Sequence, residues 1–361
     1  MQKKNISSLE LAAIVNELQF LVKGKISQIY HQEKTELLLQ LHAIGKGKQY
    51  LKIVPGKFLS LTTEKDAPLR PTGFCMLLRK YLSNAFIKSI TQKDSERILV
   101  FEFDKKETFY LIIELFSKGN IVLTNKDLMI IGSLDRQIWK DRIVRAKEEY
   151  VFPTPGVNWK EIGEKKLQEI LRTSDKKNLA VALATELGLG GVYAEEVCKL
   201  NGLDKSMEPS QVSTKEISGI LNTLKEFLQK IKQPAGYIYE DNITPFALKD
   251  QQEIEKIGMY SEALDRIKPF LRESPYEQKI KSLNKTIATQ EAAIKEQEQK
   301  IEDNSQKGEL IYEKYTPLQK LLDIVKELKK ENGWQEIEKE LKKEKKIQSV
   351  NLIKKSVVIE L

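Results

Sequence analysis

Cysteine and histidine are scarce in this chain, and their scarcity excludes most metal and thiol chemistry. The 361 residues include only two cysteines, Cys75 and Cys198, which lie far apart in apolar surroundings, and two histidines, His31 and His42. Two isolated thiols without a CxxC pair cannot form an all-cysteine zinc site. We therefore expect buried, reduced cysteines and structural histidines, and we predict no cofactor.

Long apolar runs and known catalytic motifs are also missing. The N-terminus, MQKKNISSLELAAIVNEL, lacks the pattern of a secretory signal, and no segment approaches the roughly 20 apolar residues that span a bilayer. No GxSxG, P-loop, HExxH or strand-linked GxGxxG motif occurs. We expect a cytoplasmic protein that is not an enzyme and does not bind membranes.

Positive charge is present in excess, and it is concentrated in the first part of the chain. Residues 1–150 contain 25 Lys and Arg against 17 Asp and Glu, a net charge of +8, whereas the remaining residues contain 35 of each. A basic domain joined to a neutral remainder favours a polyanionic partner, either nucleic acid or a membrane surface. The same excess of positive charge would also arise without a polyanionic partner if the proteins of the source organism are generally rich in lysine.

The hydrophobic periodicity divides the chain into four parts. Residues 1–155 alternate as short strands with two amphipathic helices, which predicts a basic α+β domain with an antiparallel β-sandwich-like sheet. Residues 165–272 predict a helical domain with an extended hairpin near residues 234–250. Residues 275–346 predict a coiled-coil arm. Residues 347–361 predict the truncated start of a next segment, ending in a strand without a partner.

The predicted arm has an isoleucine at every seventh position, which is typical of a coiled-coil seam. These positions are Ile280, Ile287, Ile294 and Ile301, with Leu283 at a d-like position. Gln290 and Gln297 occupy the later d-like positions and weaken the seam. We therefore expect the helix to need a partner, either from the same chain or from another copy.

Arginine beside a carboxylate marks the strongest candidate for nucleic-acid binding. Arg97 opens an alternating strand directly after Glu96, and a neighbouring carboxylate can hold an arginine in one rotamer while its other donors face outward. Arg79 and Lys80 flank the apolar face of the second helix and would line a basic groove with Arg97. Surface ion pairs and a solvated helix face are the alternative interpretation.

Two further segments have the composition of nucleic-acid binding sites. Arg136, Arg142 and Arg145 lie within ten residues that also contain Trp139, and basic residues interleaved with an aromatic favour nucleic-acid binding. A connector that covers a sheet edge would look similar. The segment LGLGGVYAEE resembles a helix-hairpin-helix turn, in which backbone amides approach a phosphate. Its closely spaced glycines would also suit tight helix packing.

Several motifs together resemble the NFACT family of ribosome-associated quality-control proteins. In chain order they are LVKGKISQIYHQEKTELLLQL, FCMLLRKYL, the Glu96–Arg97 pair, IIELFSKGNIVLTN, DRIVRAKEEYVFP and LGLGGVYAEEVC. The resemblance covers residues 5 to about 350, and it is closer to the archaeal and eukaryotic branch than to the bacterial one. The returning half of the coil and the C-terminal RNA-binding domain of the family have no counterpart, so we expect a truncated chain.

The resemblance implies a non-catalytic protein that binds tRNA and rRNA. Family members bind large ribosomal subunits that carry a stranded peptidyl-tRNA, recruit aminoacyl-tRNA and support template-free tailing of the nascent chain. The family's Asp-Arg pair, which is central to tRNA contact, corresponds here to Glu96 and Arg97. The residues predicted to bind tRNA are Glu96, Arg97, Arg79, Lys80, Asn120, Arg136, Arg142 and Arg145.

Two alternative functions are compatible with the same resemblance. A scaffold would bind ribosomes without recruiting tRNA. A DNA glycosylase of the formamidopyrimidine type is a remote alternative, because the first two domains of the family look like those enzymes. Such enzymes need an N-terminal proline nucleophile followed by an acid, and usually four zinc-binding cysteines, whereas this chain begins Met1-Gln2-Lys3 and has two cysteines.

Overall fold

The structure of the protein, a computed structural model, describes residues 5–32, 36–65, 70–139, 142–267, 275–331, 341, 347–351 and 356–359. The chain divides into two compact units, Met1–Leu271 and Arg272–Leu361. In the described residues, the first unit combines a large antiparallel sheet with a helical region, and the second contains two helices and a hairpin. The predicted α+β class is confirmed. The predicted domain boundaries stay predictions.

Helix α1 (Ser8–Glu17) is shared between two hydrophobic cores. It begins at a reciprocal capping box, in which the Ser7 hydroxyl accepts the Glu10 N–H (3.2 Å) and the Glu10 carboxylate accepts the Ser7 N–H (2.8 Å). Some of its apolar side chains pack in the core of the sheet, and others pack in the core of the helical region. The helix is therefore a common wall of both regions.

A nine-stranded sheet dominates the described part of the first unit, and all its neighbouring strands run antiparallel. Its strands are β1 (Lys25–Gln32), β2 (Glu36–Ala43), β3 (Gly47–Val54), β4 (Phe58–Thr62), β5 (Phe86–Gln92), β6 (Ile98–Asp104), β7 (Thr108–Glu114), β8 (Asn120–Asn125) and β9 (Ile130–Ser133). The order in space is β4-β3-β2-β1-β5-β6-β7-β8-β9. Helix α2 (Gly73–Leu82), capped by Thr72, precedes β5 and packs against β1.

The two halves of the sheet, β1–β4 and β5–β9, both contribute side chains to the main core. Strands β1 and β5 are joined through the single residue pair of Lys25 and Phe86. At one end, the turn after β3 meets the turn after β7, where the Gly56 N–H donates to the Glu114 carbonyl at 3.0 Å. Gly119 lies so close that a Cβ on it would be 1.9 Å from the Gly56 nitrogen. Glycine is required at this contact because any side chain would overlap backbone.

A second, smaller core lies on the outer face of the sheet and is covered by the segment after β9. In that segment, β10 (Gln137–Ile138) pairs with β11 (Ile143–Val144) as a two-stranded ribbon. Val144 and Tyr150 pack against the sheet with Ile98 and Ile112. The sequence analysis predicted no strands in this basic segment. The difference arises because the two strands are only two residues long, which is too short for a period-two pattern to show.

The helical region of the first unit contains α3 (Glu164–Thr173), α4 (Leu179–Thr185), α5 (Gly191–Leu200) and α6 (Thr214–Lys230), followed by β12 (Gly236–Ile238), β13 (Ile243–Thr244), β14 (Glu255–Ile257) and α7 (Tyr260–Ile267). Strands β12 and β13 form the predicted hairpin, and β14 adds a third strand. Its core includes Trp159, Tyr193 and Phe227. The Glu17 carboxylate of α1 accepts the Tyr260 and Ser261 N–H groups at the start of α7, which joins α7 to the shared helix.

The second unit contains α8 (Pro275–Glu313), α9 (Tyr315–Glu331), β15 (Ile347–Asn351) and β16 (Ser356–Ile359). The four isoleucines of the predicted seam are 49–68% exposed on α8, and the coiled coil stays a prediction. The expectation that the last strand has no partner is wrong, because β16 pairs with β15. The charged run before β15 concealed that strand. No helix in the described parts of the chain is long and apolar enough to cross a membrane.

Candidate nucleic-acid interface

The Arg97 side chain lines a pocket of about 490 Å³ between the sheet and the helical region. Ser7 and Glu10 of the shared helix form one side of the pocket, and Gly190 and Gly191 at the start of α5 form another. Sequence reasoning placed Arg97 and the glycine-rich segment in separate candidate sites. The structure brings them together because α1 packs against both regions.

Arg97 has no partner for its guanidinium within the part of the chain that the structure describes. No hydrogen bond or ion pair involves its side chain there, although the side chain is partly buried. Burial lowers the pKa of Arg97 from its ordinary value, and the charge of Glu96 acts in the opposite direction. Arginine remains protonated regardless. Its five N–H donors are therefore available to an anion that enters the pocket.

Glu96 does not orient Arg97 in the way that the sequence predicted. Its carboxylate instead accepts the N–H of Gly156 at 2.7 Å, and no ion pair joins it to Arg97 among the described residues. Glu96 thus ties the loop before β6 to the segment that leads into the helical region.

A buried polar network fixes the backbone of the loop that carries Arg97. The Ser8 hydroxyl donates to the Ser95 carbonyl and accepts the indole N–H of Trp159 at 3.0 Å. The Gln92 amide donates to the carbonyls of Ser8 at 3.0 Å and of Glu96 at 2.8 Å. Because the Glu96 carbonyl immediately precedes Arg97, this network determines where the arginine leaves the backbone.

Lys160 completes this network from the helical side. Its ammonium group donates to the Gln92 side-chain carbonyl at 2.8 Å and to the Asp94 backbone carbonyl at 2.6 Å. Burial lowers the pKa of Lys160 from its ordinary 10.5 to about 8, against the opposing charges of Asp94 and Glu161. Sequence reasoning missed Ser8, Gln92, Trp159 and Lys160, because no short motif connects such distant positions.

Stability should depend on pH through Lys160. Its pKa is about 8 in the folded chain against the ordinary 10.5, so between these values the unfolded chain binds a proton that the folded chain does not. The free energy of unfolding should therefore rise with pH in this window. A single group can change the free energy of unfolding by at most about 1.4 kcal/mol per pH unit. Because Lys160 is partly exposed, we expect its contribution to raise the free energy of unfolding by about 1 kcal/mol over the whole window.

Urea unfolding of the wild type and of Lys160→Met across this window measures the effect. The difference between the two proteins should grow with pH, because other titrating groups contribute equally to both. A constant difference would show that the Lys160 pKa is close to its ordinary value.

The first turn of α5 adds a second feature that favours an anion. Helix α5 begins at Gly190, whose φ is 84° and which provides no side-chain cap. Uncapped N–H groups at a helix N-terminus attract negative charge. A Cβ on Gly190 would lie 3.2 Å from the Ser7 Cβ, so glycine permits a close approach of α5 to α1. The helix-hairpin-helix motif itself stays a prediction.

Glu10 also lines the pocket, but its carboxylate is used by the protein. One oxygen accepts the Tyr193 hydroxyl at 2.8 Å, and the other accepts the Ser7 N–H. Burial, together with the charge of Glu10, raises the pKa of Tyr193 well above its ordinary value, which keeps the phenol protonated. Glu10 therefore connects α1 to α5.

Arg79 and Lys80 do not line the Arg97 pocket. The Arg79 side chain is half-buried and donates through Nε to the Ile29 carbonyl at 2.8 Å. Its guanidinium carbon lies 5.8 Å from the centre of the Tyr30 ring. Lys80 is exposed on α2 and lies over Tyr81 at 5.3 Å. The sequence predicted that Arg79 and Lys80 line a basic groove together with Arg97, but the Arg97 pocket does not include them.

Asn120 and Arg142 are buried and make contacts within the protein. Asn120 is 0% exposed and exchanges two hydrogen bonds with the backbone of Asp135, at 3.0 and 3.1 Å. The Arg142 guanidinium forms an ion pair with Glu114 at 2.6 Å, and both side chains are buried. The Tyr150 hydroxyl donates to the same carboxylate at 2.8 Å. These contacts use the polar groups that the sequence analysis assigned to RNA.

Arg136 and Arg145 are exposed next to the β10–β11 ribbon. Arg145 forms an ion pair with Glu148, and Arg136 has no hydrogen bond or ion pair within the described residues. The eight predicted residues therefore do not lie together. Arg97 lies in its pocket, Lys80 lies on the exposed face of α2, and Arg136 and Arg145 lie beside the β10–β11 ribbon. Their contact with tRNA stays a prediction.

Sequence comparison gives matches over most of the chain. The family profile described as NFACT N-terminal and middle domains matches residues 7–360. An archaeal Rqc2 homologue, aRqcH from Methanocaldococcus jannaschii, is 28% identical over 97% of this chain and 56% of its own length. The human ribosome quality control complex subunit NEMF is 27% identical over 74% of this chain and 26% of its own length. The chain thus spans about half or less of these relatives.

Two solved bacterial structures share the fold of the first unit. The N-terminal part of the fibronectin/fibrinogen-binding protein of Streptococcus suis has a TM-score of 0.59 at 22% identity, covering 73% of this chain and 99% of that one. The fibrinogen binding protein of Staphylococcus aureus has a TM-score of 0.60 at 18% identity, covering 72% and 98%. At such identities, the likeness establishes the fold alone.

Proposed function

Because the chain belongs to the NFACT family, we propose that it is a tRNA- and large-ribosomal-subunit-binding component of ribosome-associated quality control. It recruits aminoacyl-tRNA for C-terminal tailing of stalled nascent chains and has no catalytic role of its own. Relatives from fruit fly and budding yeast that are named as ribosome quality control complex subunits support this assignment. The chain covers only part of the length of those relatives. That this chain supports the complete tailing reaction is therefore part of what we propose.

The unpartnered guanidinium of Arg97 carries the proposal for tRNA. A partly buried arginine that makes no bond to the protein is costly unless a ligand uses its donors. The pocket that it lines also contains the uncapped start of α5. A cation opposite a helix N-terminus suits a phosphate, which accepts hydrogen bonds from both. One backbone phosphate of tRNA is the ligand that we assign to this pocket.

The surplus charge of residues 1–150 supplies the remaining affinity. Lys118, at the tip of the turn after β7, and Lys80 are exposed cations without an ion-pair partner in the described residues. Contacts between such side chains and phosphates carry little sequence information but orient the RNA. The proposal therefore combines one specific pocket with a general electrostatic attraction.

The tRNA affinity should fall steeply with salt, because each neutralised phosphate releases counterions. Between about 50 mM and about 200 mM KCl, we expect the Kd to rise about 10- to 1,000-fold. Filter binding of deacylated tRNA measures this, and sedimentation with large ribosomal subunits measures the second partner. A Kd for tRNA that does not change with salt would contradict the proposed phosphate contacts. Sedimentation with subunits in the absence of tRNA binding would favour the scaffold function.

A further inference from the structure

The β10–β11 ribbon has an inner face that holds it to the sheet and an outer face that is partly exposed. Gln137 pairs with Val144, and Ile138 pairs with Ile143 across the ribbon. On the inner face, Val144 is buried and the Gln137 amide donates to the Gly119 carbonyl at 3.1 Å. Side chains alternate between faces along a strand. The two isoleucines therefore stand side by side on the outer face.

The ribbon is anchored rigidly at its base by buried polar contacts. Asn120 binds both the N–H and the carbonyl of Asp135, just before β10. Arg142, just before β11, is fixed by its buried ion pair with Glu114. The Trp139 N–H donates to the Arg142 carbonyl at 2.9 Å and links the two strands. Such anchoring holds the ribbon in place against the sheet.

The outer face exposes more apolar surface than its short length requires. On this face Ile138 is 79% exposed and Ile143 is 41% exposed. Arg136 and Arg145 stand exposed at the ends of the two strands. Arginine beside an aliphatic centre is a composition that protein interfaces favour. A monomeric protein gains no stability from this arrangement.

We propose that the outer face of the ribbon docks on an apolar depression of a large-subunit ribosomal protein that is bordered by carboxylates. This inference rests on the proposed function. The two isoleucines favour protein over RNA, because an aliphatic side chain offers no hydrogen bond to bases and no flat surface on which they stack. Arg136, which has no ion-pair partner among the described residues, favours negative charge at the border of the depression, which Asp or Glu side chains provide.

Photocrosslinking tests which macromolecule the ribbon meets. The full chain carrying Ile138→p-benzoylphenylalanine is irradiated with purified large ribosomal subunits, and the same reagent at Ile254, which is 69% exposed elsewhere, is the control. We expect an adduct from position 138 that survives ribonuclease and contains a ribosomal protein, with none from position 254. An adduct with rRNA, or the absence of any adduct while the protein sediments with subunits, overturns the proposal.

Affinity measurements separate apolar docking from charge attraction. The double variant Ile138→Ser, Ile143→Ser should raise the Kd for subunits about tenfold at both low and high salt, whereas Ile254→Ser should leave it unchanged. The Arg136→Ala variant should have a smaller effect that fades as salt rises. An unchanged Kd in the folded double variant contradicts the docking. Failure of the wild type to bind subunits would overturn the proposed function as well.

Discussion

Replacement of Arg97 by alanine is expected to raise the Kd for tRNA about 10- to 100-fold. A charge-assisted hydrogen bond contributes about 1.5–3 kcal/mol, and 1.4 kcal/mol corresponds to a factor of ten. The pocket has no other described arginine or lysine to replace the lost guanidinium. Because the side chain has no protein partner among the described residues, its removal should not unfold the chain. Filter binding and circular dichroism measure the two properties.

Two further variants show what the Arg97 side chain provides. Arg97→Lys keeps the positive charge but loses the planar pair of donors, so it should restore only part of the affinity. Arg172→Ala removes an exposed arginine from α3 and should change the Kd only slightly. A Kd for Arg97→Ala equal to that of Arg172→Ala would exclude the pocket as the tRNA site.

Replacement of Gly119 by alanine is expected to destabilise the fold by at least about 4 kcal/mol. The new Cβ would lie 1.9 Å from the Gly56 nitrogen and 2.3 Å from the Pro55 carbonyl carbon. Both are backbone atoms of the turn between β3 and β4, so neither moves without displacing a strand. The φ of 72° at Gly119 adds the cost of a left-handed conformation. Urea unfolding and soluble yield measure the effect.

Gly45→Ala is the matched control for this experiment. Gly45 has nearly the same dihedral, a φ of 75°, but nothing lies within 4 Å of its hypothetical Cβ. Its substitution should cost only the left-handed conformation, about 1–2 kcal/mol. If the two alanine variants had equal stability, the contact between the turns would not be what requires glycine at position 119.

The sequence predicted the sheet well because its signal is local. Alternation within a strand depends on neighbours two positions apart, as in Leu99, Phe101 and Phe103 of β6, which are all buried. The hairpin of β15 and β16 escaped prediction because charged residues surround β15. The β10–β11 ribbon escaped it because two-residue strands have no period.

The site was less predictable because its geometry comes from distant parts of the chain. Arg97 stays a predicted site residue, and the Glu96 carboxylate that was expected to orient it accepts the Gly156 N–H instead. The loop is fixed instead by Ser8 and Lys160, which are 89 and 63 positions from Arg97 in a sequence that carries no motif for them. Burial of Arg142 depends on Glu114, a lone glutamate within the apolar run IIELF. A single acidic residue inside an apolar run was the local sequence feature that could have predicted a buried ion pair.

The shared helix α1 has a consequence for how a ligand enters the Arg97 pocket. Its Glu10 side chain contacts α5, and its Glu17 carboxylate accepts a backbone N–H in the first turn of α7. Its apolar residues belong to both cores. The two walls of the pocket therefore cannot swing apart as they would around a flexible hinge. A ligand meets a preformed cleft and pays little entropy for ordering it, so association should be limited by diffusion and electrostatic steering rather than by closure.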